Sequence, residues 1–444
     1  MYGQDSFEYL RYSRALHDYF TGGALPGRFW WPLIYPLGGT VFSFLLTDIY
    51  SLQTVSFISY GLTFLFLQKI LLHIHPQKAF EVKLYLVLFF FLSPFVMRYS
   101  STVMSESLAM ALIMGFFYYY LLFSKNKNPN HFLLVVAFGC AAINTRYASF
   151  MVLLVPGIHA FYLFTRHFRI VYLVYIILIA LMIFLPNFYL NLYQPGSISD
   201  QPHFSHWSFF NYFRRSFTTT DGLLSYRFPN ITYVFSNLFY PGFIFAGGLL
   251  LVFFRMKTIR SSFMKIVAAA ILLYALFLAG LTFQNDRILI LTFPCVMLLF
   301  AGTYLEMSER LKKRKVYYYN IMVILVIIIQ LGLFYRAFKP FYENNKIIKT
   351  VAGRMLQYPD KIIYTFNIDM ALKAYGIKNE IINLWDKKLP DFEPESLVLF
   401  NYLNSHKQWK GLNPMLNWEE MNRAHHLKLI AKLPDGWELY EIAD

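Results

Sequence analysis

Apolar residues recur along the chain in runs of about the length that crosses a bilayer, ~20 residues. Ten such runs are predicted as spans, at 52–72, 84–97, 107–123, 131–145, 147–164, 168–190, 235–254, 264–283, 287–305 and 317–337. The run WWPLIYPLGGTVFSFLL (30–46) is different. It is short and interrupted by Pro32, Pro36, Gly38 and Gly39, which predicts a bent interfacial or re-entrant piece. Ahead of it, MYGQDSFEYLRYSRAL is too polar to enter a bilayer and lacks the charge and apolar-core pattern of a signal peptide. After 337 the pattern changes again. KIIYTFN, SLVLF and LKLIAKLP…WELYEI read as strands, and NWEEMNRAHH reads as a helix. The expected organisation is a mainly α, polytopic helical bundle over 1–337, with an amphipathic first outward loop at 1–50. A small soluble α/β domain is expected over 338–444.

Loop charge sets the expected orientation. Loops 73–83, 124–130, 165–170, 254–265 and 306–316 hold fifteen Lys and Arg, whereas the alternating set 98–106, 144–147, 191–234 and 284–287 holds six over a greater length. The first set is expected in the cytoplasm. The second set and the 338–444 domain are then extracytoplasmic. If 30–46 is re-entrant, Asp5 lies on the outer side as well; a full span there would move it to the cytoplasm.

Composition agrees with a membrane protein. The chain is 57% hydrophobic and 15% charged, against about 25% charged in soluble domains. The net charge of +15 has an ordinary source in cytoplasmic loops, so nucleic acid is not expected as a partner. Cys140 and Cys295 lie in apolar segments and suggest neither a metal site nor a disulfide framework.

The spans at 107–123, 131–190, 235–283 and 287–305 contain no Asp or Glu. Ion-coupled transport usually places carboxylates near the membrane midplane, so that class is disfavoured. Polar chemistry gathers instead at the predicted outer helix ends. Asp5 and Glu8 are there, with Arg98, Ser105 and Glu106, then Asn144 and Arg146. His203, His206, Trp207, Arg214 and Arg215 follow, then Gln284, Asp286 and Arg287. Carboxylates can serve as bases or hold a cation, and guanidinium groups suit a lipid-linked phosphate.

Each of these residues also has a structural reading. Asp5 can cap a helix. Glu106 can oppose a helix dipole. Arg146 can snorkel, and Arg287 can pair with Asp286 or Glu106. Arg214 and Arg215 can contact lipid headgroups. His203 and His206 have a spacing that suits a metal on a helix, without an evident third ligand.

The order of motifs is DSFEYLRYSRAL, WPLIYPLGG, RYSS…SES, NTRY, QNDR, then the proline-containing ILILTFPCVMLL, with LPDGWELYEI closing the chain. In this order the sequence resembles the integral-membrane GT-C glycosyltransferases. The likeness is strongest to the bacterial group related to protein mannosyltransferases and the aminoarabinose transferases of lipid A. The resemblance implies transfer of a sugar from a polyprenyl-phosphate donor to a glycan, lipid or protein acceptor, with inversion, at the outer face of the inner membrane. It implies Asp5 as catalytic base and Glu106 as the second acid, orienting the acceptor or holding a divalent cation. It also implies Arg146 and Arg287 on the donor phosphate. Glu8, Gln284, His206 and Arg214 are candidate substrate contacts. In that family a spanning helix precedes the acidic residue, whereas this sequence begins four residues before Asp5. Two other classes compete: a flippase for lipid-linked saccharides, which should line several spans with cations, and a non-catalytic membrane scaffold.

Overall fold

The computed structural model describes residues 3–167, 171–193, 206–219 and 222–443. The described elements group into two compact units. One unit comprises Tyr12–Phe213 and Pro229–Phe338. The other comprises Met1–Arg11, Arg214–Phe228 and Lys339–Asp444.

The chain opens with α1 (Gly3–Phe20), α2 (Ile34–Ser43) and α3 (Asp48–Ile74). α4 (Ala79–Leu86) runs through a π turn at Val87–Phe91 to α5 (Pro94–Ser100). Then come α6 (Glu106–Asn126), α7 (Pro129–Ile143), α8 (Ser149–Thr165) and α9 (Val171–Tyr193). After a hairpin of β1 (Ser216–Thr219) and β2 (Gly222–Ser225) follow α10 (Gly247–Val252), α11 (Ser262–Ala279), α12 (Asp286–Leu289), α13 (Phe293–Arg314) and α14 (Val316–Met355).

Among the described residues, five helices are long and apolar enough to cross a membrane: α3, α6, α9, α11 and α14. The bent pair Pro76–Phe91 and Pro94–Ser100 makes a sixth if it counts as one span. α6 is the most enclosed of them. Gly115 on α6 lets α7 approach closely, because a Cβ there would sit 2.4 Å from the Phe138 ring. The α6–α7 turn is written locally: Lys127 takes left-handed φ 54°, Asn128 caps α7 by accepting from Asn130 N, and Pro129 fills its first position. α2 has ten residues, half the length of a span.

The segment 235–254, expected as a span, is broken. It holds the end of a 3₁₀ stretch, Asn230–Leu238, and then the six-residue α10. Asn230 and Asn237 donate their amides to carbonyls of Ala279, Leu281 and Leu289, which pins this irregular stretch to the ends of neighbouring helices. Gly242 has no room for a side chain, with Phe95 Cζ 2.4 Å from where a Cβ would be. The expected span 84–97 is also not straight. It bends by 69° between the π turn and Pro94. Tyr60 OH bonds the carbonyl of Phe91 and Gln330 Nε2 that of Leu88, which satisfies backbone groups the bend exposes. α14 runs past the expected boundary at 337, through the internal Pro340, to Met355.

In the second unit, β3 (Ile363–Thr365), β4 (Ile381–Asn383), β5 (Leu397–Phe400), β6 (His426–Lys432) and β7 (Glu438–Ala443) form one sheet in the order β4-β3-β5-β7-β6. Its β4-β3-β5 half is parallel and its β5-β7-β6 half antiparallel. α15 (Asp369–Ala374), α16 (Tyr402–Ser405) and α17 (Asn413–Ala424) accompany it. Trp418 of α17 stacks on Phe400 with centroids 4.6 Å apart, at the centre of a core that includes Tyr364, Val398, Met421 and Ile442. Two segments from outside 338–444 join this unit. Leu223 of the β1-β2 hairpin donates its backbone N–H to Gln408 O at 2.7 Å, and Gln4 donates to Asp369.

Candidate active site

Every charged group of the site in the membrane unit sits at a helix end or break. α6 begins at Glu106. The α7–α8 break at 144–148 presents Arg146; there Asn144 donates to Ile183 O at 2.7 Å, which ties the turn to α9. Asn285 caps α12 by accepting from Arg287 N, which sets Asp286 and Arg287 in its first turn. The bend before α5 delivers Arg98 and Tyr99.

These ends converge. Glu106 is fully buried, and its Oε1 accepts from both Arg146 Nη1, at 2.7 Å, and Arg287 Nε. Glu106 Oε2 and Arg146 Nε have no hydrogen-bond partner among the described residues. Beside this triad, Arg98 pairs with Asp286 Oδ2, and Tyr99 OH donates to Asp286 Oδ1 at 2.9 Å. Arg98 also lies over the Phe95 and Tyr99 rings, 4.4 and 4.5 Å from their centroids. Among the described residues, three guanidinium groups and two carboxylates make up this largely buried cluster. A buried, arginine-rich cluster with an unspent donor at Arg146 Nε suits an anion.

The structure therefore brings Glu106, Arg146 and Arg287 together. Of the two partners open to Arg287, it takes Glu106, and Asp286 goes to Arg98. Arg146 reaches an ion pair rather than an interface. Tyr99 and the Arg98–Asp286 pairing were not singled out as chemistry in the sequence; the one signal was the adjacency of Arg98 and Tyr99 in RYSS.

Gln284 is only three positions before Arg287, yet its Nε2 donates to Leu278 O at 2.7 Å. The His206 side chain is exposed, and its backbone carbonyl accepts from Asn211. His203 lies outside the described residues. No group of three or more His, Cys, Asp or Glu able to hold a metal occurs among the described residues, so no ligand set is assigned to a divalent cation. In the second unit, Arg214 is exposed and Asp5 half-buried near the start of α1. Glu8 is buried and held by Arg11 through two bonds of 2.6 Å, so its carboxylate is engaged within its own helix.

At the level of sequence, no family model and no curated protein matches the chain. Solved structures do. ArnT from Cupriavidus metallidurans bound to undecaprenyl phosphate matches with a TM-score of 0.64 at 11% identity, over 98% of this chain and 93% of that one. The apo state of the same ArnT matches with a TM-score of 0.60 at 10% identity, over 98% and 92%. The fold is that of ArnT. The resemblance read from motif order thus holds at the level of architecture: the chain has an ArnT-like GT-C fold, a membrane helical bundle with a small C-terminal sheet.

Proposed function

We propose that the protein is a membrane glycosyltransferase that uses a polyprenyl-phosphate-linked sugar. The observation that carries this reading is the Arg146–Glu106–Arg287 triad, a buried cluster of two guanidinium groups on one carboxylate in a fold shared with an ArnT bound to undecaprenyl phosphate. Arg146 and Arg287 hold the donor phosphate, and Glu106 fixes the two guanidinium groups relative to each other. Asp5 is the base. It takes the proton of the acceptor hydroxyl as that oxygen attacks the anomeric carbon. The bond from the anomeric carbon to the phosphate oxygen breaks, with inversion, and the polyprenyl phosphate leaves with the bonding electrons. Charge grows on the departing phosphate oxygen, where fixed cations act most strongly.

The acceptor is a lipid, glycan or protein hydroxyl. The Lys/Arg asymmetry of the loops supports an outward-facing reaction and an extracytoplasmic 338–444 domain in an inner-membrane protein. Among the described residues, Arg98, Arg146 and Arg287 gather in one cluster, which favours chemistry over lipid flipping.

Lipid-phosphate binding tests the site. Undecaprenyl phosphate should raise the melting temperature of the purified protein, and Arg146→Gln/Arg287→Gln should abolish the rise. An equal rise in the double variant would remove the triad from the donor site.

A further inference from the structure

The second unit contains a contact that the proposed chemistry does not use. Gln4 Nε2 donates to Asp369 Oδ1 at 2.8 Å, across 365 positions of sequence. Asp369 is 4% exposed. One turn further along α1, Phe7 packs on Tyr375 with ring centroids 5.8 Å apart, and Phe7 is also buried. Tyr375 OH in turn bonds Asn345 Oδ1 at 3.4 Å. Asp369 and Tyr375 bracket α15, which follows β3 directly.

The place of this contact in the sheet is informative. From β3 the chain crosses to β4 on one side, and β5 lies on the other. In open α/β sheets the carboxyl end of such a reversal point is where ligands bind. Asp369 stands four residues past the end of β3, at that edge. Here it receives the first turn of α1.

Residues of a helix advance by about 100° each, so Gln4, Phe7, Glu8 and Arg11 share one face and Asp5 points to the adjacent one. The later turns of the helix are held by Arg14 on Asp48 and His17 on Ser43, and gripping residues 4 and 7 sets the rotation of its first turns. That rotation decides where the Asp5 carboxylate aims. We propose that the C-terminal domain is a positioning device for α1, with Asp369 as the positioning residue that sets the aim of Asp5 through Gln4. This rests on the reading of Asp5 as the base.

The arrangement is costly. Burial raises Asp369 above the ordinary aspartate pKa, even though backbone N–H groups and Lys373 oppose the shift. A buried carboxylate that costs stability and bonds a distant helix fits a register role, the best-attested use of such groups.

The test uses the full-length protein and two independent readouts. The first is turnover with a polyprenyl-phosphate sugar donor. Asp369→Ala should lower kcat roughly tenfold or more and leave the donor KM unchanged, since small misplacements of a reacting group cost rate steeply. Asp369→Asn keeps an acceptor oxygen and should restore turnover. Gln4→Glu sets carboxylate against carboxylate and should be slow; adding Asp369→Asn supplies a donor and should recover it. The second readout needs no donor. In an Asp5→Cys background, the rate of thiol alkylation should change with Asp369→Ala and return with Asp369→Asn. An unchanged alkylation rate, or a Gln4→Glu defect that Asp369→Asn does not repair, overturns the positioning role. Absence of sugar transfer in the wild type would instead overturn the functional reading, and the alkylation result would still decide whether Asp369 sets the helix.

Discussion

Arg146 Nη1 lies 2.7 Å from the carboxylate oxygen of Glu106 that Arg287 also holds, although the three residues are far apart in sequence. One buried oxygen thus fixes two cations from different chain breaks. Taking one partner from a buried ion cluster exposes the others to an uncompensated desolvation cost, typically about 3–5 kcal/mol. Glu106→Gln should therefore lower the melting temperature and weaken lipid-phosphate binding together, because the arginines lose their common anchor. Differential scanning fluorimetry with and without undecaprenyl phosphate measures both. A variant as stable as the wild type, with undiminished lipid binding, would separate Glu106 from the cation site.

Arg287→Lys keeps the charge but loses the planar fork. Charge-assisted bonds of this kind are about twice as strong as neutral ones, so donor use should fall by about tenfold or more. Steady-state kinetics with a varied donor reads the loss. Unchanged kcat and KM would exclude Arg287 from the donor phosphate.

Asp369 gives a pH signature. Its folded pKa is raised by burial above the ordinary value of 3.8. Its contribution to stability is therefore full below that ordinary value and is lost as pH rises through the folded value. At neutral pH the buried charge is a burden, so Asp369→Asn should melt higher than the wild type there, and the gap should close at acid pH. Melting curves across that range check the sign; an Asn variant that melts lower at neutral pH than at acid pH, relative to wild type, would contradict it.

Orientation follows from the loop charges. In a background without the two native cysteines, Lys410→Cys should react with a membrane-impermeant maleimide in intact cells, and Lys313→Cys only after lysis. Both positions are exposed. The reverse pattern would invert the topology and place the 338–444 domain in the cytoplasm.

Much of this architecture was legible in the sequence, where local pattern and tertiary structure agree. The apolar runs at 52–72, 107–123 and 264–283 became α3, α6 and α11, and the strand-like runs near 363, 397, 426 and 438 became strands of one sheet. The sequence misleads where tertiary contacts override a uniform apolar pattern. Residues 235–254 read as a span, yet they hold the end of a 3₁₀ stretch and a six-residue helix, with Asn237 bonded to the distant carbonyl of Leu289. The strand Ile381–Asn383 was too short to register against its turn-rich surroundings. The site shows the same division. Glu106, Arg146 and Arg287 could be picked as charges at helix ends. Which carboxylate each arginine would take could not, because Asp286 sits beside Arg287 in sequence and pairs with Arg98 in space. Gln4 carried no signal at all, since its partner is 365 positions away.

The most direct measurement is sugar transfer by the purified protein with a polyprenyl-phosphate donor, comparing the wild type with Asp5→Asn. Asn caps a helix as well as Asp does, so the substitution removes basicity and keeps the shape. General-base help contributes about 10²–10⁴-fold. The wild type should release polyprenyl phosphate and glycosylate an acceptor hydroxyl, and Asp5→Asn should bind the donor with wild-type affinity yet transfer at least about a hundredfold more slowly. Transfer by Asp5→Asn at the wild-type rate would contradict the base assignment, and a wild type that releases no polyprenyl phosphate from any such donor would contradict the account as a whole.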